Sequence, residues 1–186
     1  MGGKAVLREK YNVTSTGYDE LYREEQFEKY ELALNVVEIH GTVLDDGCGT
    51  GLLLEYLKST SKLAEVKLYI CLDLSPGMLE RAKSRISMLN LRHLAELVEA
   101  DAENIPLRVK SIDYTLSFTV IDLVDNKLRA INEIDRVTRI AAVVTSLKKA
   151  HGMKACLPNY GRYVGETSKD YIFIRFVNKL SKGSDG

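Results

Sequence analysis

Three alternating glycines and a set of carboxylates carry most of the chemistry available to this chain. Val43-Leu44-Asp45-Asp46-Gly47-Cys48-Gly49-Thr50-Gly51 runs from an apolar stretch into Gly47, Gly49 and Gly51. Glycine lets the backbone turn where a Cβ forbids it and lets a ligand lie against main-chain atoms. A helix following such a loop offers unpaired N–H groups and the positive end of its dipole to a carboxylate or phosphate. Asp73 and Asp101 stand at the ends of the next two apolar runs. An acid some twenty residues past a glycine loop accepts hydrogen bonds from ribose hydroxyls in dinucleotide folds. The pattern is therefore that of a nucleotide- or anion-binding crevice.

Three ligands compete for such a loop. A P-loop requires a Lys after its last glycine, and Leu52 follows Gly51 here. A dinucleotide fold requires a third glycine or an alanine where this chain has Leu52, which weakens that reading as well. S-adenosylmethionine is the third.

The elements that must position these residues alternate along the chain. Residues 19–40 read as a helix, with Phe27, Tyr30, Leu34 and Val37 on one face and Glu and Lys on the other. Thr42–Asp45 reads as a strand, Leu52–Ser59 as a helix and Leu68–Leu72 as a second strand. Ser75-Pro76 starts a helix, Ser as N-cap and Pro at the first helical position. Ala95–Glu99 and Tyr114–Phe118 read as strands, Asn126–Thr138 as a helix and Ile140–Ser146 as a fifth strand. Such alternation implies parallel strands with right-handed crossovers. Arg162–Glu166 and Tyr171–Val177, joined by Thr167–Asp170, carry a hairpin signal. The expected fold is α/β, a doubly wound, mostly parallel sheet with a C-terminal antiparallel hairpin and helices on both faces. Residues 1–40 are expected to form a lid segment and helix, and 41–186 a single Rossmann-like domain.

Four segments, in order and each at a strand end, resemble the motifs of the class I (seven-stranded) S-adenosylmethionine-dependent methyltransferases. They are Val43–Gly51, Cys71-Leu72-Asp73-Leu74-Ser75-Pro76-Gly77-Met78-Leu79-Glu80-Arg81-Ala82, Glu99-Ala100-Asp101-Ala102-Glu103-Asn104-Ile105-Pro106-Leu107 and Ser111-Ile112-Asp113-Tyr114-Thr115-Leu116-Ser117. The resemblance spans roughly residues 40–146. It implies S-adenosyl-L-methionine as cofactor, with Gly47, Gly49 and Gly51 wrapping its methionyl part. Asp45 would fix the loop or accept from the amino group, and Asp73 would accept from the ribose. Leu74 and Ala102 would flank the adenine, Asp101 would accept from its amine, and Ser117 would approach the methionine moiety. Tyr11 and Tyr18 would belong to an N-terminal lid, since a ring face attracts a sulfonium cation. Asp46 departs from the family pattern. As a strand neighbour of Asp45 it is expected on the opposite face, away from the cofactor.

A sulfonium methyl is already electrophilic, so orientation and water exclusion supply much of the acceleration and no base is obligatory. Where one is needed, Thr119 and Asp122 near the end of the fourth strand are the candidates, Asp122 reading better as a helix-entry or surface acid. The Asn/Asp-Pro-Pro-Tyr segment of adenine-N6 and glutamine methyltransferases is absent after that strand, and no Pro-Cys pair marks a cytosine-C5 enzyme. His40, His93 and His151 are scattered and imply no metal site.

Composition bounds the rest. The 186 residues fit one domain, and Lys+Arg and Asp+Glu balance at 26 each, so no global field draws in nucleic acid or an anionic membrane. From Lys148 onward eight Lys/Arg face three Asp/Glu. The acceptor is undetermined, and Lys148, Lys149, Lys154, Arg162 and Lys169 tip the expectation slightly toward RNA or an RNA-associated protein. A small-molecule acceptor, a non-catalytic cofactor-binding subunit that activates a partner, and a Rossmann-type oxidoreductase are the alternatives. Cys48, Cys71 and Cys156, an odd count without metal spacing, suit a reducing compartment. No apolar run approaches a membrane span, and no signal or transit peptide is evident. A cytoplasmic location and no membrane partner are expected.

Overall fold

The computed structural model describes residues 3–14, 17–150 and 160–177. Seven strands form one sheet: β1 Gly41–Asp46, β2 Val66–Asp73, β3 Ala95–Glu99, β4 Ile112–Ser117, β5 Thr138–Leu147, β6 Arg162–Glu166 and β7 Asp170–Phe176. Five helices accompany them among the described residues: α1 Gly3–Thr14, α2 Tyr18–Leu34, α3 Leu52–Ser59, α4 Pro76–Met88 and α5 Lys127–Val137. The strand order is β3-β2-β1-β4-β5-β7-β6. β1 to β5 pair in parallel, whereas β7 is antiparallel to both β5 and β6. The order reverses at β1, so the crevice outside its carboxyl end, between the β1 and β4 loops, is where an open α/β sheet binds ligands.

Strand alternation divides the core between two faces. Val43, Tyr69, Cys71, Leu116, Val143 and Ile174 pack against Leu34 of α2, Leu53 and Leu57 of α3, and Ile86 of α4. On the other face Leu44, Ile70, Leu72 and Ile112 meet Ile105 and Val137, while Ala142, Val144 and Phe173 meet Ala130 and Ile134 of α5. Leu53 and Leu57 are almost wholly buried, each worth roughly 1.5–3 kcal/mol relative to exposure.

Two local expectations are corrected. The helix read over 19–40 ends at Leu34. The N–H of Asn35 closes it onto Glu31 and Ala33 carbonyls, and β-branched Val36 and Val37 favour the extended chain that follows. Its polar face is also partly buried: Lys29 pairs with Asp170 at the start of β7, and Gln26 lies beside the glycine loop. Residues 3–14 form a further helix, α1, packed on α4. The α4 N-cap forms as expected: Ser75 Oγ accepts from the Met78 N–H at 3.2 Å, with Pro76 at the first position.

Candidate active site

The glycine loop is held by its own main chain. The N–H groups of Gly47 and Cys48 both donate to the Leu72 carbonyl, at 2.8 and 2.9 Å, and that of Gly51 donates to the Cys48 carbonyl at 2.9 Å. Gly47, Gly49 and Gly51 all have positive φ, of 77°, 54° and 81°, where an L side chain is strained. Their surroundings differ. A Cβ on Gly47 would lie 2.2 Å from Val120 Cγ2, one on Gly51 would touch Ala82, and one on Gly49 would meet nothing within 4 Å. Gly47 and Gly49 line the cavity at the carboxyl end of β1; Gly51 lies behind it, packed on α4.

Asp73, at the end of β2, reaches back beneath this loop. Its Oδ2 accepts from the Gly49 N–H at 2.9 Å and its Oδ1 from the Ser75 N–H at 2.8 Å. Burial raises its pKa, and backbone donors from Ser75, Gly49 and Leu74 oppose that rise. Leu74, Asp101 and Ala102 stand beside it on the cavity wall. Asp101 Oδ1 also caps a turn, accepting from the Glu103 N–H at 2.9 Å.

The remaining wall comes from α1 and from the loop after β4. Asn12 Oδ1 accepts from Ser75 Oγ at 2.7 Å and from the Gly77 N–H at 3.0 Å. Gly77 makes that approach possible, because a Cβ there would sit 3.0 Å from Asn12 Cα. The clamp sets Leu7, Arg8 and Tyr11 over the cavity. Burial, with Asp73 nearby, raises the Tyr11 pKa. Tyr18 opens α2, but its side chain lies outside the described residues.

Asp46, not Asp45, faces the crevice, while Asp45 lies behind the glycine loop. Asp45 turns into the α2–α3 face, where its Oδ2 accepts from the Tyr69 hydroxyl at 2.7 Å. It lines a small side pocket with Gln26, Tyr30 and Cys48. Asp46, expected to point away, forms the floor of the crevice at the carboxyl end of β1. Adjacent residues do occupy opposite faces, but the crevice opens at the strand's end on the Asp46 face. Asp46 Oδ2 accepts from Ser117 Oγ at 3.0 Å, while Oδ1, equally buried, has no hydrogen-bond partner among the described residues. Burial pushes both carboxyls up to about 7, with neighbouring carboxylates adding to the rise. Ser117 is fully buried behind Asp46 and does not reach the cavity wall.

Thr119 and Asp122 separate sharply. Thr119 lines the cavity with φ of 63°. Its N–H donates to Thr145 Oγ1, and its Oγ1 accepts from Lys29 Nζ, both at 2.8 Å. Asp122 is set apart from the cavity: Oδ2 accepts from the Leu147 N–H at 2.6 Å and Oδ1 contacts Lys127 Nζ and Ser146 Oγ at 3.3 Å. It fastens the β4–α5 loop to β5, so it is neither a surface acid nor placed to act as a base.

Sequence reasoning missed Asn12, Lys29 and Arg85. Arg85 of α4 donates to the Thr50 carbonyl, pairs with Glu55 at 2.8 Å and also pairs with Asp19, whose Oδ1 accepts from Thr50 Oγ1 at 2.5 Å. It anchors the glycine loop from behind. The basic residues near the C-terminal end are partly spent in ion pairs: Lys148 with Glu166 at 2.8 Å, Lys169 with Glu25 at 2.5 Å. Lys154, His151 and Cys156 lie outside the described residues. No group of three or more His, Cys, Asp or Glu able to hold a metal occurs among the described residues, and no described helix is long and apolar enough to cross a membrane.

The cavity suits a nucleoside bearing a cationic tail. It combines an apolar slot from Leu74 and Ala102, open space over Gly49, an anchored carboxylate at Asp73 and an unpartnered acid oxygen on Asp46.

Comparison with known proteins agrees with this geometry. Residues 44–144 match the model of the methyltransferase domain family. Over 133 residues the chain is 29% identical to malonyl-(acyl-carrier protein) O-methyltransferase of Pectobacterium atrosepticum, covering 71% of this chain and 48% of the relative. It is 28% identical over 148 residues to a ubiquinone/menaquinone biosynthesis C-methyltransferase of Campylobacter jejuni, covering 71% and 60%. The chain thus spans about half the length of the curated relatives it matches. The crystal structure of a SAM-dependent methyltransferase from Aquifex aeolicus superposes with a TM-score of 0.74 at 18% identity, over 90% of this chain and 98% of that one. The chain belongs to the methyltransferase domain family, and its seven-stranded sheet is that of the class I S-adenosylmethionine-dependent methyltransferases.

Proposed function

We propose that this chain binds S-adenosyl-L-methionine in the Gly47–Asp73–Asp101 crevice and transfers its methyl group to a small-molecule acceptor. The observation that carries the reading is Asp73. It is fixed by two backbone donors directly beneath the one loop glycine with open space over it. When bound, the cofactor supplies an electrophilic methyl group on a cationic sulfur that departs as a neutral thioether. Asp73 would accept from the ribose hydroxyls, Leu74 and Ala102 would sandwich the adenine, and Asp101 would accept from its amine. Gly47 and Gly49 would offer close surface rather than donors, because the Gly47 and Gly49 N–H groups are already used within the fold. Gly51, Asp45 and Ser117 would support the site from behind it. Tyr11 would close over the sulfonium. Thr119 is the hydroxyl best placed to meet an acceptor.

For the acceptor, two observations favour a small molecule over RNA. Lys148 and Lys169 are engaged in ion pairs, so phosphates would have to displace Glu166 and Glu25. The curated relatives are named for a malonyl-(acyl-carrier protein) and for ubiquinone/menaquinone biosynthesis, neither of them RNA. A cytoplasmic location forms part of the proposal, resting on the free, buried Cys48 and Cys71.

Calorimetry with S-adenosylhomocysteine and with NAD, followed by transfer of radiolabelled methyl to fractionated metabolites, RNA and protein, tests the reading. The expected result is homocysteine-nucleoside binding without NAD binding, and label in the metabolite fraction. NAD binding alone would overturn the cofactor assignment. Label confined to RNA would overturn the acceptor class. Binding with no transfer to any fraction would identify a non-catalytic subunit.

A further inference from the structure

The crevice holds one acidic oxygen that the proposed recognition of the cofactor leaves unexplained. Asp46 has no exposed surface, yet it floors the cavity. Ser117 occupies Oδ2, and Oδ1 has no hydrogen-bond partner among the described residues. A buried polar atom without a partner is costly, about 1–3 kcal/mol and more for a charged group, so a native structure that keeps one invites a ligand. The ligand's sign is set by the surroundings. Asp73 and Asp101 line the same cavity and Asp45 is next in sequence. Asp73 and Asp101 both act on Asp46 as negative charges that disfavour its ionised form. The facing groups from other elements are Arg8 and Tyr11 of α1, Ser117 of β4 and Tyr160, whose own titration Asp46 influences. Arg8 already pairs with Glu99. Asp46 therefore faces an acid-rich hollow in which a cation completes the electrostatics.

Resting on the cofactor reading above, we infer that Asp46 is a charge-selecting residue, which makes the site prefer the cationic methyl donor over its demethylated, less positive product. The two ligands share the nucleoside and the amino-acid tail, so the contacts to Asp73, Leu74, Ala102 and Asp101 are common to both. They differ in one methyl group and one positive charge. A buried carboxylate floor is sensitive to that charge, because in a medium of low effective dielectric an ionic interaction survives over several ångströms. The functional consequence is relief of product inhibition. Binding the cation also favours the ionised form of Asp46, so donor binding expels a proton where the free protein holds Asp46 partly protonated. Product binding expels fewer.

The test is calorimetry of donor and product on the full chain, at about pH 5.5 and about pH 7, in two buffers of different ionisation enthalpy. In the wild type the product-to-donor Kd ratio should rise roughly three- to tenfold between the two conditions, with more protons released by the donor than by the product. In Asp46→Asn and Asp46→Leu the ratio should be lower at about pH 7 and flat with pH, and the excess proton release should vanish. A ratio and proton release equal in wild type and variants would overturn the inference while leaving the cofactor assignment intact. A wild-type ratio flat with pH would overturn it without any variant. Failure of the wild type to bind either ligand would overturn the cofactor assignment, and this inference with it.

Discussion

Lys29 Nζ and Asp170 Oδ2 lie 2.8 Å apart with neither side chain exposed to solvent, joining α2 to the start of β7. Lys29 also reaches Glu25 Oε1 at 2.9 Å and Thr119 Oγ1 at 2.8 Å. One ammonium thus ties an N-terminal helix, the C-terminal hairpin and the cavity wall together. A lone buried charge is expensive, and removing one partner of a buried pair typically costs about 3–5 kcal/mol. Lys29→Met should therefore lower the urea midpoint sharply, and the double variant Lys29→Met/Asp170→Asn should recover part of the loss. A single-variant change within about 0.5 kcal/mol would show that the pair does not hold the hairpin.

The two carboxyls at the end of β1 make the ligand-free protein less stable as pH rises. Asp45 and Asp46 are pushed up to about 7 by burial, against about 3.9 for an unfolded aspartate. Between those values the folded chain binds more protons than the unfolded one, so stability falls with rising pH and levels off above about 7. Glu25 and Glu133, held low, act only below the ordinary glutamate range. Tm should accordingly be higher near pH 5.5 than near pH 7.5. Asp46→Asn should flatten part of that slope and raise Tm at the higher pH. A wild-type Tm that rises over this interval would contradict the assignment.

The loop, Asp73 and Asp101 were legible in the sequence because their chemistry is local. A strand, a glycine turn and an acid at the next strand end are set by covalent spacing. The strand positions and the terminal hairpin were legible too, as short apolar or β-branched runs bounded by turn residues. Asp46 was not. The alternating-face rule correctly separates it from Asp45, but which face opens on the crevice depends on where the β4–α5 loop and α1 settle. Lys29 was hidden too, for in Glu28-Lys29-Tyr30 it reads as the solvated side of an amphipathic helix. Its partners Thr119 and Asp170 lie far along the chain. Asn12, Arg85 and the helical state of α1 likewise depend on long-range docking that no local pattern records.

Gly47 and Gly49 should fail in different ways when replaced by alanine. Both have positive φ, which costs an L residue roughly 1–2 kcal/mol. At Gly47 the new Cβ would also strike Val120 Cγ2, whereas at Gly49 it would enter open space above Asp73. Gly47→Ala should lower Tm by the larger amount. Gly49→Ala should keep a Tm closer to wild type yet weaken S-adenosylhomocysteine binding, because its Cβ fills the place where the ligand would pass. Calorimetry and thermal melts on both variants decide the matter, and unchanged binding in Gly49→Ala would remove the ligand from that space.

Asn12 pins α1 to the start of α4. Asn12 Oδ1 accepts from both Ser75 Oγ and the Gly77 N–H, and Gly77 has no Cβ to hold α1 away. Each such bond contributes about 1 kcal/mol net, too little to matter to the seven-stranded core. It is enough to shift the docking of a 12-residue helix that carries Leu7, Arg8 and Tyr11 over the cavity. Asn12→Ala should therefore leave the urea midpoint close to wild type, raise the Kd for S-adenosylhomocysteine roughly tenfold and expose α1 to limited proteolysis in the absence of ligand. Gly77→Ala should reproduce the pattern through steric separation rather than loss of the acceptor. Agreement of the two variants would assign the effect to α1 docking. Tight binding retained in both would show that α1 plays no part in holding the cofactor.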